Sequence, residues 1–225
     1  MEARELRQIA RDNLSGNWGL SVAVTFVAGL FGALVTGTGS TSRINIDEQI
    51  LHQLPEFVIT LLAILGSIAG IMALVSFIIG GAVQLGYATY LLKQHDRANF
   101  EFSDLFSQFH RFGQGFAQHF LRGLYIFLWS LLFIIPGIVK TYAYAMTPFI
   151  MAENPEMTAN EAITASREMM DGHKLELFWL GLTFIGWAFL SVFTLGIGSL
   201  FLNPYMNAAY AAFYKKLTAE GRTYE

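Results

Sequence analysis

No cysteine occurs in this 225-residue chain, so disulfides, thiolate metal ligands and cysteine nucleophiles are excluded. Charge is scarce as well: Asp, Glu, Lys and Arg make up 14% of the residues, against about a quarter in an ordinary soluble domain. The charge is also clumped, with none between Asp12 and Arg43, Glu56 and Lys93, Arg122 and Lys140, Lys140 and Glu153, or Glu176 and Lys215. Such runs exceed what a soluble core helix needs, and roughly 20 apolar residues span a bilayer. The formal net charge of -3, without a basic stripe interleaved with aromatics, speaks against nucleic acid as a partner.

Catalytic signatures are missing too. The histidines, His52, His95, His110, His119 and His173, fall in or beside expected loops with no metal-ligand spacing between them. No Gly-x-Ser-x-Gly elbow occurs, and no Gly-rich phosphate loop of the Walker type. The chain therefore reads as non-enzymatic, without a metal site or cofactor.

What is present is apolar: 54% hydrophobic residues, 20 of them Phe, and a mean hydropathy of +0.45. The expectation is an all-α, polytopic transmembrane helix bundle, one integral domain over residues 1–225, multi-pass in the plasma membrane. The opening MEARELRQIARDNLSGNW mixes acidic and basic residues and reads as no cleavable signal. Charge parity then places about six spans, near 18–38, 57–85, 119–137, 139–152, 177–195 and 199–216, with both termini cytoplasmic. Of the 14 Lys and Arg, only Arg43 and Lys140 are left on the far side. In this arrangement the long run after Glu56 crosses once, as a tilted or protruding helix. The run LLFIIPGIVKTYAYAMTPFIM turns around Pro136 and Gly137, with Lys140 near the tip. A re-entrant segment that enters and leaves on one face has the same parity, so both forms stay open.

Between the spans lie amphipathic segments that suit the headgroup layer or a face packed on the protein's own spans. RELRQIARDNL carries Leu6, Ile9, Ala10 and Leu14 at helical spacing. FEFSDLFSQFHRFGQGF suggests a helix capped by Ser103, with Leu105, Phe106, Phe109, Phe112 and Phe116 on one face. TANEAITASREMMDGHK opens with a Thr158 and Glu161 capping box, stops at Gly172, and lines one side with Ala162, Ile163, Ser166, Met169 and Met170. Gly66-Ser-Ile-Ala-Gly70, with Gly80, Gly81 and Gly86 beyond it, lets backbones approach. Packing within the chain is the first reading of these glycines and a homodimer seam the second. Trp18, Trp129, Trp179 and Trp187 suit interfacial anchoring.

Polar groups inside spans are the default functional candidates, because a charge at mid-bilayer costs about 2.5 to 3.5 kcal/mol on insertion scales. They are Gln84, Lys140, Asn203 and Asn207, with Tyr142 adding a hydroxyl and Pro136, Gly137 and Pro204 breaking helices. Gln84 reads as an interhelical hydrogen bond. Asn203 and Pro204 read as N-cap and first helical residue of the last span, with a broken ion-coordinating helix as the sharper alternative.

The ordered motifs IARDNLSGNW, DLFSQF, IPGIVKTYAYAMTPFIMAENP, EAITASREMMDGHKLELFWLGLTFIGW and LGIGSLFLNPYMNAAYAAFY run nearly end to end. On these the chain resembles the bacterial integral membrane proteins grouped as domain of unknown function 975, found widely in Gram-positive bacteria. It is distantly similar to the membrane domain that precedes some glycerophosphodiester phosphodiesterases. The resemblance implies an integral membrane protein and brings no catalytic residues with it.

The function expected is non-enzymatic: assisting export of, or tolerance to, amphipathic molecules such as membrane-active peptides or lipids. The partners are the lipid bilayer, a membrane protein such as an exporter, or a second copy. A secondary transporter with Lys140, Gln84, Asn203 and Asn207 around a central cavity is the alternative, and an intramembrane lipid-modifying enzyme comes last.

Overall fold

The computed structural model describes residues 3–31, 55–194 and 196–221. Its helices are α1 (Ala3–Leu14), α2 (Trp18–Leu30), α3 (Glu56–His95), α4 (Phe112–Leu132), α5 (Ile134–Ala143), α6 (Thr147–Glu153), α7 (Ala159–Met169), α8 (Lys174–Leu182), α9 (Ile185–Phe193) and α10 (Ile197–Gly221), and the described residues contain no strand. The fold is all-α. Among the described residues two stretches are long and apolar enough to cross a membrane: α3, and Lys174–Phe193, which joins α8 to α9. Six crossings do not follow from these two.

The local reasons for the elements are plain. Leu6, Ala10 and Leu14 recur every fourth residue and are buried, mainly where α1 lies along α10. Burying each leucine contributes about 1.5 to 3 kcal/mol. Glu5 in the first turn and Arg11 in the last complement the helix dipole, and Gly16, at φ +85°, turns the chain into α2. The first amphipathic segment thus spends its apolar face on the protein's own helix. In α7 the expected capping box is present: the Thr158 backbone N–H donates to Glu161 Oε2 at 2.8 Å. That bond, helped by the Thr158 hydroxyl, holds the Glu161 carboxyl below its ordinary pKa. Ala162, Ile163, Ser166 and Met170 are buried, and Gly172 adopts φ +79° just past the helix.

α3 organises the rest. Forty residues make a helix about 60 Å long, and only its second part, from Gly80 onward, is buried. Three backbones reach it there. A Cβ on Gly80 would collide with the Phe31 carbonyl, one on Gly81 with the Gly115 carbonyl, and one on Gly86 with the Leu105 carbonyl. Gly66 and Gly70 meet nothing, so the within-chain reading fits the later glycines and not this pair. Polar side chains bind α2 to α3: Thr25 Oγ1 lies 2.9 Å from the Tyr87 hydroxyl and Ser21 Oγ 3.0 Å from that of Tyr90, and Gln94 Nε2 donates to Ser21 Oγ at 2.8 Å. Around the C-terminal end of α3, Lys215 pairs with Asp96 at 2.8 Å and Glu153 at 2.7 Å, Tyr214 donates to Glu153 at 2.8 Å, and Lys93 pairs with Asp104.

Several expected boundaries move. The aromatic segment forms no single helix: it folds as two 3-10 turns, Phe102–Phe106 and Phe109–Arg111, before α4 begins. Its capping box joins Glu101 and Asp104 rather than starting from Ser103, because Asp104 accepts from the Glu101 N–H at 2.8 Å while pairing with Lys93. The chain reverses at Phe133, which is extended (φ -159°, ψ 148°). Pro136 and Gly137 lie inside α5 instead, where proline near a helix start needs no N–H partner. The expected span 139–152 is broken between α5 and α6, whereas 177–195 overlaps the apolar stretch Lys174–Phe193 in spite of the turn between α8 and α9. Pro204 is a second correction. It sits within α10, not at its start, and Asn203 is therefore no cap. The end of span 18–38 and the loop with Arg43 lie outside the described residues.

The glycine contacts carry a stability prediction. Gly81→Ala overpacks the α3–α4 crossing and lowers stability in detergent micelles by about 1 to 3 kcal/mol, whereas Gly70→Ala leaves thermal unfolding unchanged. Equal melting temperatures for the two variants would contradict this packing.

Candidate functional site

The turn between α9 and α10 is tight. Gly196 takes φ +87°, its N–H donates to the Ser191 carbonyl at 2.9 Å, and the Gly198 N–H donates to Thr194 Oγ1 at 2.9 Å. Gly198 also lies so close to Ser191 that a Cβ would collide with it. This closes the two helices into an antiparallel hairpin. Where α9 and α10 meet the junction of α1 and α2, a cavity of about 320 Å³ opens.

Its walls are Trp187 and Leu190 from α9, Phe201, Leu202 and Tyr205 from α10, and Trp18 from α2. Trp18 leans on Phe201 with ring centroids 6.5 Å apart, and Tyr205 meets Phe184 edge-on at 5.1 Å. The Ser191 and Thr194 hydroxyls at the wall are already engaged, donating to the Ala188 and Ser191 carbonyls at 2.7 and 2.9 Å. Arg11 is different. It lines the cavity and makes no hydrogen bond or ion pair with a described residue. The site is thus an apolar slot edged by a cation that has no partner among the described residues, suited to a molecule with an apolar body and a polar, acceptor-bearing end. Its hydroxyls offer little else, so shape and apolar area decide what fits.

The polar positions singled out in the sequence do not share this cavity. Gln84 accepts from Gln118 Nε2 at 3.3 Å, a buried bond between α3 and α4, which is the interhelical role expected of it. Asn207 is fully buried in α10 and donates from Nδ2 to the Asn203 carbonyl at 2.8 Å. That carbonyl, next to Pro204, is therefore occupied and is not a free ligand for an ion. Gly137 packs directly on Ser130 across the α4–α5 hairpin. Lys140 stands over the Trp129 ring, its Nζ 4.5 Å from the centroid, a contact worth about 0.5 to 1 kcal/mol when exposed. It borders a second cavity of about 320 Å³ with Arg167, Glu168, Asp171 and Lys174. Tyr142 meets Phe178 edge-on at 5.9 Å. Each of these residues has its own contact, although the buried Asn207 Oδ1 has no hydrogen-bond partner. Among the described residues no set of three His, Asp or Glu side chains could hold a metal.

The residues of the slot were only partly legible. Trp18 and Trp187 read in sequence as interfacial anchors, and Arg11 as one face of a surface helix. The motifs IARDNLSGNW and LGIGSLFLNPYMN do contain most of the lining, but nothing local says that they converge.

Fold and site together define an all-helical protein with apolar helices of membrane-crossing length and an apolar, arginine-edged slot. A family model described as "Protein of unknown function (DUF975)" matches residues 1–141 and 131–221, and the chain belongs to that family. No curated protein and no solved structure matches it, so the more distant likeness to the glycerophosphodiester phosphodiesterase membrane domain is not shown.

Ser166 fixes the local geometry near Lys140 and Tyr142. Its Oγ donates to the Ala143 carbonyl at 2.9 Å and accepts from the Met146 N–H at 3.2 Å, closing the break between α5 and α6. Ser166→Ala strands two buried backbone groups, and the expected cost is about 1 to 3 kcal/mol, read by thermal unfolding in micelles. A neutral effect would show that the break does not depend on this hydroxyl.

Proposed function

We propose that this protein is a non-enzymatic, multi-pass protein of the plasma membrane that accommodates amphipathic molecules, lipids or membrane-active peptides, and assists their export or the cell's tolerance of them. The observation that carries this reading is the slot between α9, α10 and the α1–α2 junction: apolar aromatic walls edged by the Arg11 cation. An exporter in the same membrane is the partner it calls for.

Membrane residence is supported by what the fold leaves uncovered. The most apolar stretch of α3 is not covered by any other described part of the protein. From Glu56 to Ile79 it measures about 36 Å, close to the roughly 30 Å of a bilayer core. The tip of the α4–α5 hairpin is also bare, with Phe133 71% and Ile134 77% exposed. Burying such faces in lipid removes them from water at about 25 cal/mol per Å². Lys140, in contrast, is surrounded by Arg167, Glu168, Asp171 and Lys174, a set of charges that belongs at a headgroup layer. We therefore favour the re-entrant form: the apolar tip dips in, and both arms leave on the cytoplasmic face.

The functional reading predicts that cells lacking the gene become more sensitive to membrane-active peptides and detergents. The wild-type gene restores tolerance, and Ser191→Phe, which fills the slot from a half-buried position on its wall, does not. Unchanged sensitivity and lipid composition in the deletion strain would sink the proposal. Topology is tested separately, in a chain that has no cysteine of its own. Lys140→Cys should react with an impermeant maleimide from the cytoplasmic side alone, and Phe133→Cys from neither side. Labelling of Phe133→Cys from outside would restore the two-span hairpin.

A further inference from the structure

A third cavity, of about 640 Å³, lies on the opposite end of α1, between it, α8 and α10. Its polar lining is unbalanced: Arg4, Arg7 and Lys216 face a single acidic group, Glu176. Lys216 is already spoken for, pairing with Glu176 and, at 3.7 Å, with Glu220. Arg4 and Arg7, three residues apart on one face of α1, make no ion pair with any described residue. The Nε of Arg7 is buried without a hydrogen-bond partner, although an orphaned donor of this kind carries a desolvation cost that a ligand would relieve. Apolar surface begins at once beyond the rim. Trp179, which lines the cavity, is 62% exposed, and Leu175, one turn away on α8, is 70% exposed.

We propose that this cavity is a binding site for the headgroup of an anionic phospholipid. The phosphodiester sits between the Arg4 and Arg7 guanidiniums, whose planar donor forks match two phosphate oxygens. The acyl chains leave past Trp179 along the exposed face of α8. Charge decides for an anionic lipid over a zwitterionic one: once Glu176 and Glu220 are assigned to Lys216, neither arginine has an acidic partner among the described residues, and no described acidic group of the cavity is left for an amine. Trp179 at the rim supplies the amphipathic ring that favours the headgroup level. The site is distinct from the Arg11 slot and rests on the protein residing in a membrane, not on what the slot binds.

The test uses the full-length protein in nanodiscs of phosphatidylcholine doped with equal amounts of phosphatidylglycerol and phosphatidylethanolamine, with lipid retention read by native mass spectrometry. Wild-type protein is expected to retain phosphatidylglycerol over phosphatidylcholine and phosphatidylethanolamine by roughly tenfold or more, the order expected of two basic groups at an anionic surface. Arg4→Gln with Arg7→Gln should bring that ratio to about one. Arg7→Lys, which keeps the charge and removes the fork, should keep only part of the preference and serves if the double variant does not fold. Inorganic phosphate and glycerol phosphate, added to protein in micelles, should not raise the melting temperature as phosphatidylglycerol does. Retention of the preference in the folded double variant, an equal response to phosphate alone, or no preference in the wild type each overturns the proposal. Failure to enter nanodiscs at all would overturn the membrane reading as well, which separates the two.

Discussion

Direct backbone contact with α3 is the constraint on which the rest of the structure depends. Gly80, Gly81 and Gly86 admit the carbonyls of Phe31, Gly115 and Leu105, and any side chain at these positions would push those backbones away. The end of α2, the start of α4 and the first 3-10 turn are thereby held against one stretch of one helix. Once they are placed, Ser21 and Thr25 meet Tyr90 and Tyr87, and Gln118 meets Gln84. These hydrogen bonds cost little to form because the backbones are already close, and they would be expensive to leave unmade in an apolar interior.

The packed part of the molecule is also where its charges are reconciled. Lys93 with Asp104, Lys215 with Asp96 and Glu153, and Lys216 with Glu176 tie α3, α6, α8 and α10 together near their polar ends. Each pair adds modest free energy where it is exposed, but their joint effect is to sort the fold. One end is polar and satisfied, and the bare parts of α3, α4, α5 and α9 are apolar. The cations left over are therefore informative. Arg11 and the Arg4–Arg7 pair belong to the same short helix, whose apolar stripe is committed to α10; they line cavities and have no acidic partner among the described residues.

Some elements were readable in advance because their signals are local. The capping box of α7 needs only Thr158 and Glu161 in one turn, and the long run after Glu56 contains nothing to interrupt a helix. Other readings failed where a distant partner decided the outcome. Asp104 was taken for part of a helix begun by Ser103, but its pairing with Lys93 and its bond to the Glu101 N–H hold the segment in a tighter turn. Pro204 looked like a helix start because proline is favoured there. In the folded chain α10 begins seven residues earlier at Ile197, and the side chain of Asn207 satisfies the Asn203 carbonyl beside the proline. Lys140 was expected at a hairpin tip, yet the reversal comes at Phe133 and sets the lysine over Trp129.

Composition and charge spacing by themselves determined that this chain is helical, rich in apolar runs and without cysteine for thiol chemistry, since those properties depend on residue type and local periodicity. Which glycines carry close contacts, where the helices break, and which arginines line cavities were decided only by the tertiary structure. Gly70 and Gly81 offer the same absent side chain, and only the arrival of α4 makes one of them indispensable. Arg11 lies far in sequence from Trp187 and Phe201, and a slot between segments so distant exists only once the packing of α1 along α10 has brought them together.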